Sequence, residues 1–398
     1  MVTKNIIDLN DDVLEILFSL FDNDKTALRS LALTCRRFSN LASEHMLRHL
    51  HFEGYLSLAS VLVADLFEER PELRRCVRTV SLQIANIEHE DEVRTADAVL
   101  KGLQGLNRLQ LNRAWNIRIP PEDIDPTGLI NHHPFPDYSR LTTQDFTLNF
   151  LELEPKPRIC TIVIEGNFNT SEIHRLLMVE GLRELEASDL MRLDEPLPEW
   201  RGQPGCSSVA ILRLLGGYLQ RSYNFNVFAS IIALPRALHE LEAWLPGECT
   251  MLPEDVSGVY MIENFSAERL HAALSPLTNS LESLDLSQGF DRADGLPIHW
   301  PGRDPGGLDL SCFHHLKHIV IPSICFFPSG GPSPERSELT RLLPPSLEIF
   351  DVNFFRFLDR RVLFSSRDIA YRSTYSSTGL VPYGVVGVAG GEHTFFAT

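Results

Sequence analysis

Apolar side chains in the first fifty residues recur at helical spacing and predict three short helices. The first spans about Asp11 to Phe21 and carries two apolar stripes: Val13, Ile16, Leu17 and Leu20 form one, and Leu14, Phe18 and Phe21 the other. Together they cover roughly 200° of the helix surface, where packing on a single core needs roughly 100°. A second helix, about Lys25 to Thr34, gathers Leu28, Leu31, Ala32 and Cys35 on one face and points Leu33 elsewhere. A third begins near Arg37 and aligns Phe38, Leu41, Ala42 and Met46. A unit of about forty residues has too little interior to bury all of this, so a surplus face is left for a partner. Val13, Ile16 and Leu28 read as ordinary core, which places the surplus face on the second stripe.

Beyond a helix at about Ser57 to Glu69, the period changes. The pattern apolar-x-x-apolar-x-apolar occurs nine times: Val77/Val80/Leu82, Leu106/Leu109/Leu111, Ile159/Ile162/Ile164, Leu182/Leu185/Ala187, Val209/Leu212/Leu214, Leu238/Leu241/Ala243, Leu281/Leu284/Leu286, Leu316/Ile319/Ile321 and Leu347/Phe350/Val352. Successive middle positions are 29, 53, 23, 27, 29, 43, 35 and 31 residues apart. A weak copy at Val259/Ile262 would divide the gap of 43. Each copy reads as a short strand with one buried face. Helix signals lie between copies, at Asp91 to Gly102, Thr142 to Leu151, Ser171 to Met178, Asn224 to Ala233, Ser266 to Leu274 and Ser333 to Leu343, the last with a Ser-Pro start. No such unit buries its apolar side alone, so the copies must stack.

Two resemblances follow from these residues. The run Leu9-Asn10-Asp11-Asp12-Val13-Leu14-Glu15-Ile16-Leu17, then Leu20, Leu28, Leu31, Leu33, Thr34-Cys35-Arg36-Arg37-Phe38 and Leu41-Ala42, resembles an F-box. Asn10 stands where that family has proline, and asparagine is itself a good helix N-cap. The nine copies resemble irregular leucine-rich repeats over about residues 75 to 355, with the family's asparagine present once, as Asn167. The fold expected is thus α/β: an F-box over 5–52, a helical linker over 53–75, a leucine-rich-repeat solenoid with a curved parallel sheet over 76–358, and a cap or tail over 359–398.

The F-box resemblance implies a substrate-recognition subunit of a Skp-cullin-F-box ubiquitin ligase, non-catalytic itself. Leu9, Asn10, Asp12, Val13, Leu14, Ile16, Leu17, Leu20, Leu31, Leu33 and Phe38 would meet the Skp adaptor, and through it a cullin. The repeats would hold a protein target. A scaffold of the same build working outside a ligase is the alternative.

Charge and chemistry refine this picture. The net charge is −17, and the first 52 residues are nearly balanced, so the acidity belongs to the repeats. That disfavours a nucleic-acid backbone as partner and permits a basic one. No apolar run reaches 18 residues and no signal peptide opens the chain, which reads as intracellular, cytoplasmic or nuclear, and without a membrane span. Seven separated cysteines, none in a Cys-x-x-Cys pair, read as reduced thiols.

Motifs for phosphate binding, acyl transfer and zinc hydrolysis are missing, and the one histidine cluster, His314, His315 and His318, enters a strand and does not suit a metal. No cofactor is expected. Four polar, Pro- or Gly-rich loops, 113–141, 191–207, 288–311 and 327–338, interrupt the copies and leave the strands at their carboxyl ends. The tryptophans Trp115, Trp200, Trp244 and Trp300 sit in or beside them, as lids on the core or as binding anchors. A target-binding rim of Arg113, Trp115, Trp244, Arg292, Trp300 and Arg303 would suit an anionic segment, in tension with the acidic chain.

Overall fold

The computed structural model describes residues 6, 9–22, 24–52, 58–84, 98–113, 158–166, 168, 170–190, 202–216, 225–246, 248–251, 260–263, 265–288, 298–299, 307–322, 325–326, 336–353, 373–374, 383–389 and 394–397. The expected helix at Thr142 to Leu151, the Ser333-Pro334 start and most of the four interrupting loops lie outside them. Contacts divide the chain into two compact units, Met1–Val163 and Ile164–Thr398.

The first unit opens with three helices, α1 Asp11–Ser19, α2 Lys25–Ala32 and α3 Arg36–Arg48. Asn10 caps α1 by accepting a bond from the Val13 N–H at 3.0 Å, and Asp24 caps α2 by accepting from the Ala27 N–H at 2.9 Å. Leu14, Phe18, Leu28, Phe38 and Ala42 form their shared core. The Phe18 and Phe38 rings meet edge to face with centroids 5.4 Å apart.

Helix α3 does not end the helical unit in a linker. It runs straight into β1 His49–Phe52, which pairs in parallel with β2 Thr79–Ile84 through Leu50–Val80 and Phe52–Leu82. Leu47, Leu50 and Phe52 therefore make a further copy of the strand pattern, hidden in the sequence under the helical spacing of α3. Helix α4 Leu58–Glu69 and a 3-10 turn at Pro71–Cys76 follow β1, and β3 Arg108–Arg113 continues the sheet beside β2.

The unit boundary falls within β4 Thr161–Gly166. In the second unit β5 Glu184–Leu190, β6 Ile211–Gly216, β7 Glu240–Trp244, β10 Ser283–Gln288, β12 His318–Pro322 and β13 Ile349–Asn353 lie side by side in that order. All pair in parallel. These six strands form one open parallel run within the second unit. Helices α5 Thr170–Leu177, α6 Phe225–Ile232, α7 Ala267–Leu274 and α8 Arg336–Leu342 alternate with the strands, a mixed α/β arrangement consistent with a solenoid-like stack.

Packing explains why the strand pattern has its spacing. Every apolar position of the nine copies is buried. The middle and last positions of neighbouring copies stand directly opposite each other: Leu185–Leu212–Leu241–Leu284–Ile319–Phe350 is one such row. The residue before each strand adds a second coupling, since its carbonyl accepts two backbone N–H groups of the next copy. Ala210 O takes those of His239 and Glu240 at 2.8 and 3.1 Å, and His239 O takes those of Glu282 and Ser283 at 2.8 and 3.0 Å.

The weak copy at Val259/Ile262 does not join this ladder. Ile262 lies in β9 Tyr260–Glu263, which pairs with β8 Glu248–Met251 and β11 Ile298–His299 in a separate sheet, while β7 pairs directly with β10. Its third position is Asn264, and a polar side chain there has no place in the buried row. After β13, β15 Tyr383–Ala389 adds antiparallel and pairs in turn with β14 Ser373–Thr374 and β16 Thr394–Ala397.

Candidate docking surfaces

On α1 the apolar positions divide otherwise than expected, since Val13 and Ile16, which read as core, are exposed. Leu14 and Phe18 are core, whereas Val13 is 41% exposed, Ile16 64% and Leu20 74%. Phe38 of α3 packs edge-on against Phe18, while Phe21 of the same stripe is 37% exposed and Leu17 of the other is half-buried against the core. Leu33, one residue past α2, is 89% exposed. Leu28 is core, as expected.

The remaining residues of the implied adaptor face divide as follows. Leu9, Leu17 and Leu31 are half-buried against the core, Asp12 is exposed on the first turn of α1, and Asn10 is the cap. Leu14 and Phe38 have no free surface to offer a partner. Arg37 reaches back to donate to Asp11 at 2.5 Å and to the Leu9 carbonyl at 2.7 Å, which holds the entry to α1 in place.

A polar network in this unit escaped the sequence reading. His45 is wholly buried; its Nδ1 meets Asp22 Oδ1 at 2.5 Å, and its Nε2 lies 3.6 Å from Glu15. Arg48 bonds to Glu15 and approaches Asp22 at 3.6 Å. The signal was present: His45 follows Phe38 by seven residues, on the same helical face. This network clamps the C-terminal half of α3 to the middle of α1 and to the turn that follows it.

The second unit presents a charged sheet face. Positions alternating with the buried row carry Glu186, Arg213, Glu242, Asp285 and Asp351, with Glu184 and Glu240 beside them. Arg213 bonds to Glu184 and lies 3.3 Å from Glu242 and 3.6 Å from Glu240. Burial, then the neighbouring Asp285, pushes the Glu242 carboxyl above its usual range despite Arg213. Asp351 is raised for the same two reasons. At the strand starts the opposite holds: Glu282 takes hydrogen bonds from His239 at 2.9 Å and Lys317 at 3.2 Å, and these lower its carboxyl.

Of the expected target-binding rim, Trp115, Arg292, Trp300 and Arg303 lie outside the described residues, as does Trp200. Arg113 ends β3 in the first unit. Trp244 ends β7 in the second and is buried, in register with Ser287, so it serves as part of the core. The two described members fall in different units.

The histidine cluster behaves as a strand approach: His318 opens β12 and lies 4.0 Å from Glu348. Among the described residues no group of three or more His, Cys, Asp or Glu could hold a metal ion, and no helix is long and apolar enough to cross a membrane. Cys325 is buried, which drives its thiol well above the usual range, and Cys35, Cys76, Cys160, Cys206, Cys312 and Cys325 are free thiols. The features that stand out are therefore two surfaces, an apolar helical stripe and an acidic strand face. The chain matches no protein-family model and no curated protein sequence.

Proposed function

We propose that this chain is a non-catalytic receptor: its N-terminal helices dock a Skp-type adaptor, and its parallel-strand region holds a protein target for a cullin-based ubiquitin ligase. The observation that carries the reading is the exposed stripe Val13, Ile16, Leu20 with Leu33. The helical unit already has a closed core in Leu14, Phe18, Leu28, Phe38 and Ala42, and these four side chains are not part of it. Large aliphatic groups clustered in water on one small unit are the mark of a protein-binding surface.

The F-box resemblance supplies the partner, an adaptor that receives α1 and the turn after α2. The contact set is narrower than the resemblance alone implied: Val13, Ile16, Leu20 and Leu33 make direct contact, and Leu9, Leu17 and Leu31 border it. Asn10 acts as a cap, and Leu14 and Phe38 support the surface from beneath.

The test is co-purification of the full chain with a Skp-type adaptor, comparing wild type with Ile16→Asp/Leu20→Asp. The double variant is expected to keep its helical signal and lose the adaptor. Undiminished adaptor binding by the folded variant overturns the assignment. Recovery of a cullin, with ubiquitin transfer to a bound target, separates the ligase reading from a scaffold that binds the adaptor alone.

A further inference from the structure

The sheet face of the second unit has a pattern that only strand register reveals. Glu186 stands beside Arg213, Arg213 beside Glu242, and Glu242 beside Asp285; Asp285 and Asp351 then flank Val320 on either side. Glu184 and Glu240 adjoin this row. Arg213, the one cation at these positions, is already shared among Glu184, Glu240 and Glu242. Five steps of about 4.8 Å from β5 to β13 spread the row over roughly 24 Å.

That geometry selects the chemistry of an occupant. A metal ion needs its oxygen ligands gathered within about 2.5 Å of one point, and this row is a line. Nucleic acid would bring phosphates against carboxylates. A line of carboxylates instead matches a chain of cations, and roughly 24 Å is the length of about seven extended residues, whose alternate side chains point to one side. The Asp351 Oδ1 is covered and accepts no hydrogen bond among the described residues.

We propose that this strand face binds a lysine- or arginine-rich protein segment lying across β5 to β13, with Glu186, Glu242, Asp285 and Asp351 as its charge partners. The inference rests on the reading of this region as the target-holding part of a receptor and names the class of target. It also removes the tension between an acidic chain and an anionic target.

The experiment uses the full chain and two fluorescein-labelled eight-residue peptides, one alternating lysine with glycine and one alternating glutamate with glycine. The lysine peptide is expected to bind, and to bind at least tenfold more weakly when Glu186→Gln, Glu242→Gln and Asp285→Asn are combined. A matched triple elsewhere on the same unit, Glu180→Gln/Glu268→Gln/Asp309→Asn, is expected to stay within twofold of wild type. Arg213→Gln removes the local cation and is expected to tighten binding, a gain that a misfolded protein cannot produce. Equal affinity of the wild type and the face triple, equal losses in both triples, or preference for the glutamate peptide overturns the proposal. Adaptor binding is measured alongside: its loss in Ile16→Asp/Leu20→Asp belongs to the functional reading, and the face triple should leave it unchanged.

Discussion

Leu14→Ala and Ile16→Ala, two truncations separated by half a helical turn, should have very different consequences. Leu14 is fully buried in a core of only five closed-off side chains. Removing its isobutyl group loses transfer free energy and leaves a cavity that so small a core cannot close, for a cost of about 3 kcal/mol. Ile16 is 64% exposed, so its truncation forfeits little burial and should cost under about 0.5 kcal/mol. Hydrogen–deuterium exchange of peptides covering residues 11–48 reads the difference within the full chain, free of any two-state assumption for the whole molecule. At about 1.4 kcal/mol per factor of ten, Leu14→Ala should speed exchange of the α1 and α3 amides by roughly a hundredfold. Ile16→Ala should leave them within about threefold of wild type. A larger effect from Ile16→Ala, or near-equal effects, would show that the aliphatic stripe is the core and would refute the stripe assignment.

Two other outcomes follow from the packing and the charges. Gly105→Ala should lower the melting temperature, because the added methyl would sit 2.4 Å from the Arg75 carbonyl oxygen and 2.9 Å from that of Val77, a backbone clash costing about 1–3 kcal/mol. Glu242→Gln should raise the melting temperature at pH 7, and the gain should vanish as the pH falls below the ordinary carboxylate range. Because burial and Asp285 raise the folded-state carboxyl, Glu242 contributes favourably while protonated, and that contribution is lost as pH rises through its folded value. Thermal melts of both proteins between pH 4 and pH 8 check the sign; a gain that grows toward acid contradicts it.

The ladder was legible because a strand with one wet face must place its apolar residues two apart, and stacking demands that every copy do so at the same register. Hence all nine copies, from Val77 to Val352, were recoverable without any contact information. β1 was not, because Leu47, Leu50 and Phe52 adjoin Phe38, Leu41, Ala42 and Met46, whose spacing alone fits a continuing helix. The stripes of α1 show a different limit. Periodicity fixes the angle between Val13-Ile16-Leu20 and Leu14-Phe18, but which stripe turns inward depends on the partner, here Phe38. The acidity of the repeats was legible in the charge count, but its arrangement was not: Glu186, Glu242, Asp285 and Asp351 are 43 to 66 residues apart along the chain, and only strand pairing brings them into one row. The N-terminal segment was readable as three helices, yet its proposed partner is carried by resemblance and its proposed contact residues by burial.

The central claim, that the aliphatic stripe of α1 meets a Skp-type adaptor, is tested most directly by site-specific photo-crosslinking. A photoreactive residue placed at Leu20 or Ile16 of the full chain, mixed with purified adaptor and irradiated, should give a one-to-one covalent adduct. The same residue at Lys101, exposed on a turn of the same unit, should give none. Adducts from Lys101 equal to those from Leu20, or no adduct from either stripe position while the adaptor still co-purifies, would contradict the claim.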